Sequence, residues 1–281
     1  PLPCASNEAP GAAARQSGAG DLACGATSPT HTQRVGTGYA PLSGDEGLQQ
    51  FLDFLLMHKN PSASWAGSVV MNCNPFTLGH RHLVETALSS SDFLYVFVVE
   101  EDASHFPFSD RIALVREGLR QYTNVVVLPS GRYILSAQTF SEYFTKDSIT
   151  KDAIIDPSLD LNIFACFIAP TLDIRVRYAG DEPNCLLTRQ YNQAMSTILP
   201  EFGITFTVID RLAVDGKIVS ASTVRNFLAQ EKYEDIQRIV PESTFAYLMR
   251  ARHSNGGLGP HSGTERVDEQ AVSMLKKTLL G

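Results

Sequence analysis

Two short stretches of the chain set hydrogen-bond donors at spacings that suit an anion. In the first, Asn74-Pro75-Phe76-Thr77-Leu78-Gly79-His80, a run of β-branched residues ends and a helical pattern begins. Gly79 opens that helix without a Cβ, so a ribose or base can approach its backbone, while free N–H groups and the positive end of the helix dipole face an anion. His80 projects from the first turn, where its imidazole can donate to a phosphate oxygen, and Thr77 adds a hydroxyl one turn away. In the second stretch, Val219-Ser220-Ala221-Ser222-Thr223-Val224-Arg225, Ser220 and Ser222 are cap residues whose neighbouring N–H groups could cradle a β- or γ-phosphate. Arg225, one turn on, offers a fork of donors to the same group. Each stretch alone also fits a plain capped helix with His80 or Arg225 in solvent.

These residues need a frame that brings them to one edge. From residue 67 to 210, apolar runs alternate with helical patterns: "SVVMNC", a helix face of Leu83, Val84, Ala87 and Leu88, then "FLYVFVV" from Phe93. Phe108, Ile112, Val115 and Leu119 mark the next helix, opened by Ser109 or Asp110 as cap, before "VVVL" from Val125. A helical region from Asp160 to Leu172 precedes "IRVRYAG", and Leu186 to Leu199 precedes "ITFTVID". Continuous β-branched strands joined by helices predict an α/β fold with a parallel sheet covered on both faces, and in such a sheet the exit of the first strand favours a phosphate. Arg175 and Arg177 fit a buried strand poorly, and an exposed strand start would account for them. After Ser220 the chain reads as helical to Met249.

Composition bounds the rest. With 281 residues, 43% hydrophobic and 19% charged, the chain can bury a sizeable core, and no apolar run is long enough to span a bilayer. A net charge of −7 argues against nucleic acid or an anionic membrane as the main partner. Five cysteines without CxxC spacing support neither a disulfide framework nor a zinc site, which points to a reducing, cytoplasmic setting. Cys73 reads as a small buried hydrophobe rather than a nucleophile. Residues 1–44, rich in Ala, Gly, Ser, Pro and Thr, are expected to be a disordered leader. Residues 45–60 form a connecting helix with Leu48, Phe51, Leu52, Leu55 and Leu56 on its apolar face, 61–251 a single α/β domain, and 252–281 a loosely ordered tail.

Thr77-Leu78-Gly79-His80 matches every specified position of the (H/T)xGH motif, and Val219 to Arg225 follows ISSTxxR, with Ala221 for its second serine and Ser222 for its threonine. In both, the chain resembles the nucleotidyltransferase superfamily. Five collinear blocks, "GSVVMNCNPFTLGHRHLVE", "EEDASHFPFSDRIALVREG", "NVVVLPSGRYILSAQTFSEYF", "YAGDEPNCLLTRQYNQAM" and "VSASTVR", are more specific. Over residues 67–249 they resemble the catalytic domain of the citrate (pro-3S)-lyase ligase family. That resemblance implies a Rossmann-like nucleotidyltransferase fold with a C-terminal helical segment. It also implies an enzyme that uses ATP, with Mg²⁺ bridging phosphates, to convert acetate to acetyl-adenylate. The acetyl group would then pass to the thiol of the prosthetic group on citrate lyase's acyl carrier subunit. By the same resemblance Thr77 and His80 would stabilise the α-phosphate, and Ser220, Ser222 and Arg225 the departing pyrophosphate. Asn74, Phe76 and Gly79 would place the nucleotide, and at Gly180-Asp181-Glu182-Pro183, where the fourth strand ends, acidic groups would hold ribose or order a metal's waters, or else only end the strand and cap the next helix. The family's usual acetyltransferase-like domain leaves no trace in residues 1–44.

Other residues carry weaker expectations. Glu100-Glu101-Asp102 reads as a charged loop; Arg111 as a group facing an anion or a surface contact linked to Asp110; Tyr133 and Ser136 as lining the acyl or thiol side. Two rival functions stay open: an adenylyltransferase for a phosphorylated small molecule, and a nucleotide-binding module without catalysis.

Overall fold

The computed structural model describes residues 46–100, 104–136, 138–140, 156–182 and 185–255. The proposed leader, the tail from 256, and Glu101, Asp102 and Pro183 lie outside them.

Five parallel strands, β1 (Ala66–Met71), β2 (Phe93–Val98), β3 (Val125–Pro129), β4 (Ile174–Gly180) and β5 (Thr205–Ile209), form one sheet in the order β3-β2-β1-β4-β5. The apolar run of β2 is buried at every position from Leu94 to Val98, as a strand covered on both faces requires. The order reverses between β1 and β4, so the connections from these neighbours leave in opposite directions and a crevice opens at their carboxyl ends.

Helices α2 (Leu78–Leu88) and α3 (Phe108–Leu119) cover one face, where Val84, Ala87, Ile112 and Val115 pack on Val69, Val96, Val98 and Tyr178. The opposite face carries α1 (Glu46–Met57), a helical run of α4 (Ser158–Ile163), a π turn (Phe164–Ile168) and α5 (Ala169–Leu172), and then α6 (Leu186–Glu201). There Leu48, Leu55, Leu161, Phe164 and Leu199 pack on Tyr95, Phe97 and Ile174. The last helices, α7 (Ala221–Ala229), α8 (Tyr233–Gln237) and α9 (Glu242–Asn255), gather around Val224, Ile236 and Leu248. No described helix is long and apolar enough to cross a membrane.

Three local features set the site. Between β1 and β4 the register slips: Ala66 pairs with Ile174 but Gly67 with Val176, so Arg175 is an extra residue that turns outward. A short hairpin, β6 (Ala213–Val214) and β7 (Lys217–Ile218), turns at Asp215 and Gly216, both with positive φ, and Val219 N–H then donates to the Leu212 carbonyl at 2.9 Å. This hairpin delivers the second motif to the sheet edge. Finally, α3 is capped two residues before Ser109, the earlier of the two caps the sequence suggests. Pro107 occupies the cap position with no side-chain cap bond, its ring fixing a suitable φ, and Asp110 instead accepts the Tyr247 hydroxyl of α9 at 2.6 Å. The α9 helix runs four residues past the expected domain end, with Arg252 over the Tyr233 ring at 4.3 Å.

Candidate active site

Beyond β1 the chain reaches α2 through Asn72 to Thr77, with a cis Asn74–Pro75 peptide and Cys73 at φ +52. A fully buried cation fixes this loop. Arg111 donates Nη1 to the carbonyls of Asn72 (2.9 Å) and Val99 (2.7 Å) and to Asn72 Oδ1 (2.8 Å), and Nε to the Phe106 carbonyl (3.0 Å). The expected anion or surface role of Arg111 is therefore corrected: main-chain carbonyls of the loops after β1 and β2 replace its water. Asn74 Oδ1 accepts Phe106 N–H at 3.1 Å and ties the same loops together. The Cys73 thiol is buried, and burial pushes its ionisation far above the usual range, so it stays a packed, unreactive group.

At the start of α2, Thr77 and His80 form a reciprocal cap. His80 N–H donates to Thr77 Oγ1 (3.4 Å), Thr77 N–H donates to His80 Nδ1 (3.1 Å), and Thr77 Oγ1 lies 2.9 Å from the same nitrogen. Because Nδ1 accepts a backbone N–H, the proton of the neutral ring belongs on Nε2. Burial, with the charge of Arg211 second, lowers the His80 pKa to about 4, so near neutral pH the ring is an uncharged Nε2–H donor. The ring stacks on Phe76 at 5.8 Å between centroids and 17° between planes. Phe76 itself is fully buried, with its ring over Gly118 of α3, where a Cβ would lie 2.5 Å from it. Its side chain thus orients His80 and is closed to a nucleotide.

The second motif meets the first directly. A Cβ on Gly79 would sit 2.9 Å from the Val219 carbonyl oxygen. The missing side chain therefore admits the chain's own backbone, where the sequence reading reserved the space for a nucleotide. Ser220 caps α7 by accepting Thr223 N–H at 3.1 Å. Arg225 then reaches back, donating Nη1 to the Asn74 carbonyl at 2.5 Å and Nη2 to Ser222 Oγ at 3.1 Å.

Both motifs line one cavity of about 610 Å³ at the carboxyl edge of β1 and β4. Of the sequence-predicted residues it brings together Asn74, Thr77, Gly79, His80, Gly180, Ser220, Ser222 and Arg225, while Phe76 and Asp181 lie outside its wall. Asp181 donates its N–H to the Ile209 carbonyl (2.9 Å) and exposes its side chain. Its neighbour Glu182 does line the cavity, ion-paired to Arg211 at 2.6 Å and accepting Cys185 N–H at 3.2 Å. Tyr133 and Ser136 are corrected as well. The first packs on Phe51 at 5.4 Å, the second donates to the Arg132 carbonyl at 2.7 Å, and Leu135 between them is the residue that faces the cavity. Arg177, Arg211, Thr188 and Asn192 line it too and were not anticipated. Arg211 could have been found from its place just beyond the fifth strand; the α6 residues carry no such signal.

The switch-point crevice, two helix N-termini, a neutral imidazole N–H and a guanidinium together make an α/β site whose donors suit a polyanion of nucleotide size. The chain belongs to the citrate lyase ligase family: residues 66–248 match the citrate lyase ligase C-terminal domain. It is similar to the citrate (pro-3S)-lyase ligase of Klebsiella pneumoniae, 39% identical over 213 residues that cover 74% of this chain and 62% of the relative. The Haemophilus influenzae ligase is 39% identical over 190 residues, covering 66% of this chain and 56% of the relative. The chain thus spans about three fifths of the length of the curated relatives it matches. Among solved structures, Thermotoga maritima TmcAL bound with alpha-thio ATP is similar at 17% identity and a TM-score of 0.42, covering 69% of this chain and 57% of the other.

Proposed function

We propose that this chain uses ATP to activate acetate and passes the acetyl group to the prosthetic thiol of citrate lyase. The observation that carries this reading is the seating of His80 Nε2–H and the Arg225 fork on one cavity, through the contact of Gly79 with Val219. An acetate oxygen attacks the α-phosphorus of ATP, the bond to the bridging oxygen of the β-phosphate breaks, and pyrophosphate leaves. The thiol sulfur next attacks the acyl carbon; AMP departs with the bonding pair and the thiol proton passes to solvent. Neither step needs a protein nucleophile, only donors fixed where charge accumulates on oxygen. In this reading His80 and Thr77 serve the α-phosphate, and Ser220, Ser222 and Arg225 the pyrophosphate. The relatives' printed name, citrate lyase ligase, supports the choice of acceptor.

The cavity offers donors that fit a triphosphate, and of its acidic groups Glu182 is tied to Arg211 while Asp210 makes no ion pair among the described residues. Mg²⁺ would ride on the phosphates, with Asp210 placed to order one of its waters. The test is acetate-dependent exchange of labelled pyrophosphate into ATP, compared between the chain and its His80→Ala variant. A fall of about 100-fold or more is expected for loss of such a donor. Equal exchange in both refutes it. Exchange driven by 4′-phosphopantetheine and not by acetate would move the reading to adenylyl transfer onto a phosphate ester.

A further inference from the structure

The cavity has a second cationic wall, away from both phosphate-facing helix starts. Arg177 lies in the middle of β4, three residues before the strand ends, which places it roughly 10 Å below the sheet's carboxyl edge at ~3.3 Å per residue. It is 1% exposed, yet lines the cavity. Its Cζ lies 4.3 Å from the centre of the Phe164 ring, and Nη2 donates to the Tyr191 hydroxyl at 3.1 Å. That hydroxyl in turn donates to Asp160 Oδ2 at 2.5 Å. Asp160 is already served by two further donors, Leu135 N–H at 2.6 Å and Thr139 Oγ1 at 2.7 Å. The carboxylate of this buried network is therefore satisfied by three donors, and the guanidinium is not: Nη1 has no hydrogen-bond partner among the described residues. Ser68 Oγ, on the residue of β1 that stands in register with Arg177, is also buried and has no partner among the described residues.

A buried guanidinium nitrogen without an acceptor is costly, and two such polar atoms on adjacent strands mark a place where an acceptor is missing. Val70, Leu135 and Met195 give the same cavity apolar wall. A nucleotide's phosphates have their donors at the other end. A dianion would meet the charge of Asp160 through Tyr191, whereas a monoanion with a short hydrocarbon tail fits both the single free Nη1 and the apolar wall. We propose that this deep arm is the acyl-substrate subsite, in which a side-chain shift brings Arg177 Nη1, closed to solvent in this structure, onto one oxygen of a small monocarboxylate, its tail against Leu135 and Met195. The second oxygen is left to attack the nucleotide. This inference rests on the activation reaction proposed above for the choice of acetate, but the binding itself can be measured without ATP.

The experiment uses the whole chain labelled with ¹⁵N-arginine and titrated with acetate in the absence of nucleotide. The guanidinium resonances missing from the Arg177→Lys variant identify Arg177, and they are expected to shift saturably with acetate and not with inorganic phosphate. In the exchange assay, Arg177→Met and Arg177→Lys should raise KM for acetate at least tenfold, the lysine less than the methionine, and leave ATP affinity within twofold. If Arg177→Met does not fold, the wild-type titration and the lysine variant still decide the matter. No shift with acetate overturns the proposal, because water alone then fills the arm; so does a shift with phosphate, or a loss of ATP and acetate binding in equal measure. Saturable acetate binding with no pyrophosphate exchange would leave the subsite standing and remove the activation reaction instead.

Discussion

Replacing Gly79 by alanine isolates the contact on which the site's geometry turns. At the second position of α2, alanine is the better helix former by up to about 1 kcal/mol, so propensity alone forecasts a more stable protein. The structure forecasts otherwise. The added Cβ would lie 2.9 Å from the Val219 carbonyl oxygen and 3.5 Å from Val219 Cγ1, and the oxygen is backbone that cannot swing aside. Restoring ordinary contact means parting the two helix starts by roughly half an ångström, and forced packing of this kind costs about 1–3 kcal/mol. The two effects leave a net loss of about 0–2 kcal/mol in urea unfolding. The effect on catalysis should be larger in relative terms. His80 sits on one of those starts, and Arg225 on the other bonds the Asn74 carbonyl, so both sets of donors move; a misplacement of 1 Å costs about 100-fold, which makes about tenfold the expectation here. Pyrophosphate exchange and denaturant unfolding on the same preparation check both numbers. A Gly79→Ala protein about 1 kcal/mol more stable than its parent, with unchanged exchange, would refute the claim that the two motifs are held by direct backbone contact.

Three further outcomes follow from the same geometry. His80, with its folded pKa lowered from 6.5 to about 4, binds a proton in the unfolded chain first. Its contribution to stability is therefore complete above about pH 6.5 and drains away as pH falls toward 4, by at most about 3 kcal/mol, and Arg211→Met should raise the His80 pKa in an NMR titration. Arg225→Lys keeps the charge but cannot reach the Asn74 carbonyl and Ser222 together, so exchange should fall about 10- to 100-fold with little change in unfolding midpoint. Arg111→Met strips the buried carbonyls of Asn72, Val99 and Phe106 of their donor and should cost about 3 kcal/mol or more in urea unfolding.

The elements that carry the first motif were legible because each is encoded locally. A β-branched run, an Asn-Pro bend and a capping pair at Thr77 and His80 state strand, turn and helix within twenty residues, and the strand-helix alternation that follows states a parallel sheet. The burial of arginines was not legible. Arg111 and Arg177 look like surface charges in sequence, since what makes each tolerable inside is a set of acceptors or rings drawn from distant segments: loop carbonyls for the first, Phe164 and Tyr191 for the second. Phe76 was misread for a related reason. A ring or a glycine beside a motif invites a ligand, and only the packed structure shows that the Phe76 ring lies over Gly118 and that the Val219 carbonyl shares the space beside Gly79, which still lines the cavity. The Asp215-Gly216 hairpin, by contrast, has a plain turn signal that could have been read from sequence.

The slip at Arg175 sets how far this strand can drift over generations. Side chains alternate along a regular strand, so that with Arg175 taking its own place in the ladder the guanidinium of Arg177 would point toward α2 and Tyr178 toward α6; set outside the ladder, Arg175 leaves both on their present sides. Losing the Arg175 codon would leave Ile174 and Val176 on the neighbouring partners Ala66 and Gly67 and every later side chain facing as it does, which makes the irregular spot a spare position that the strand can lose without turning a cation toward α2.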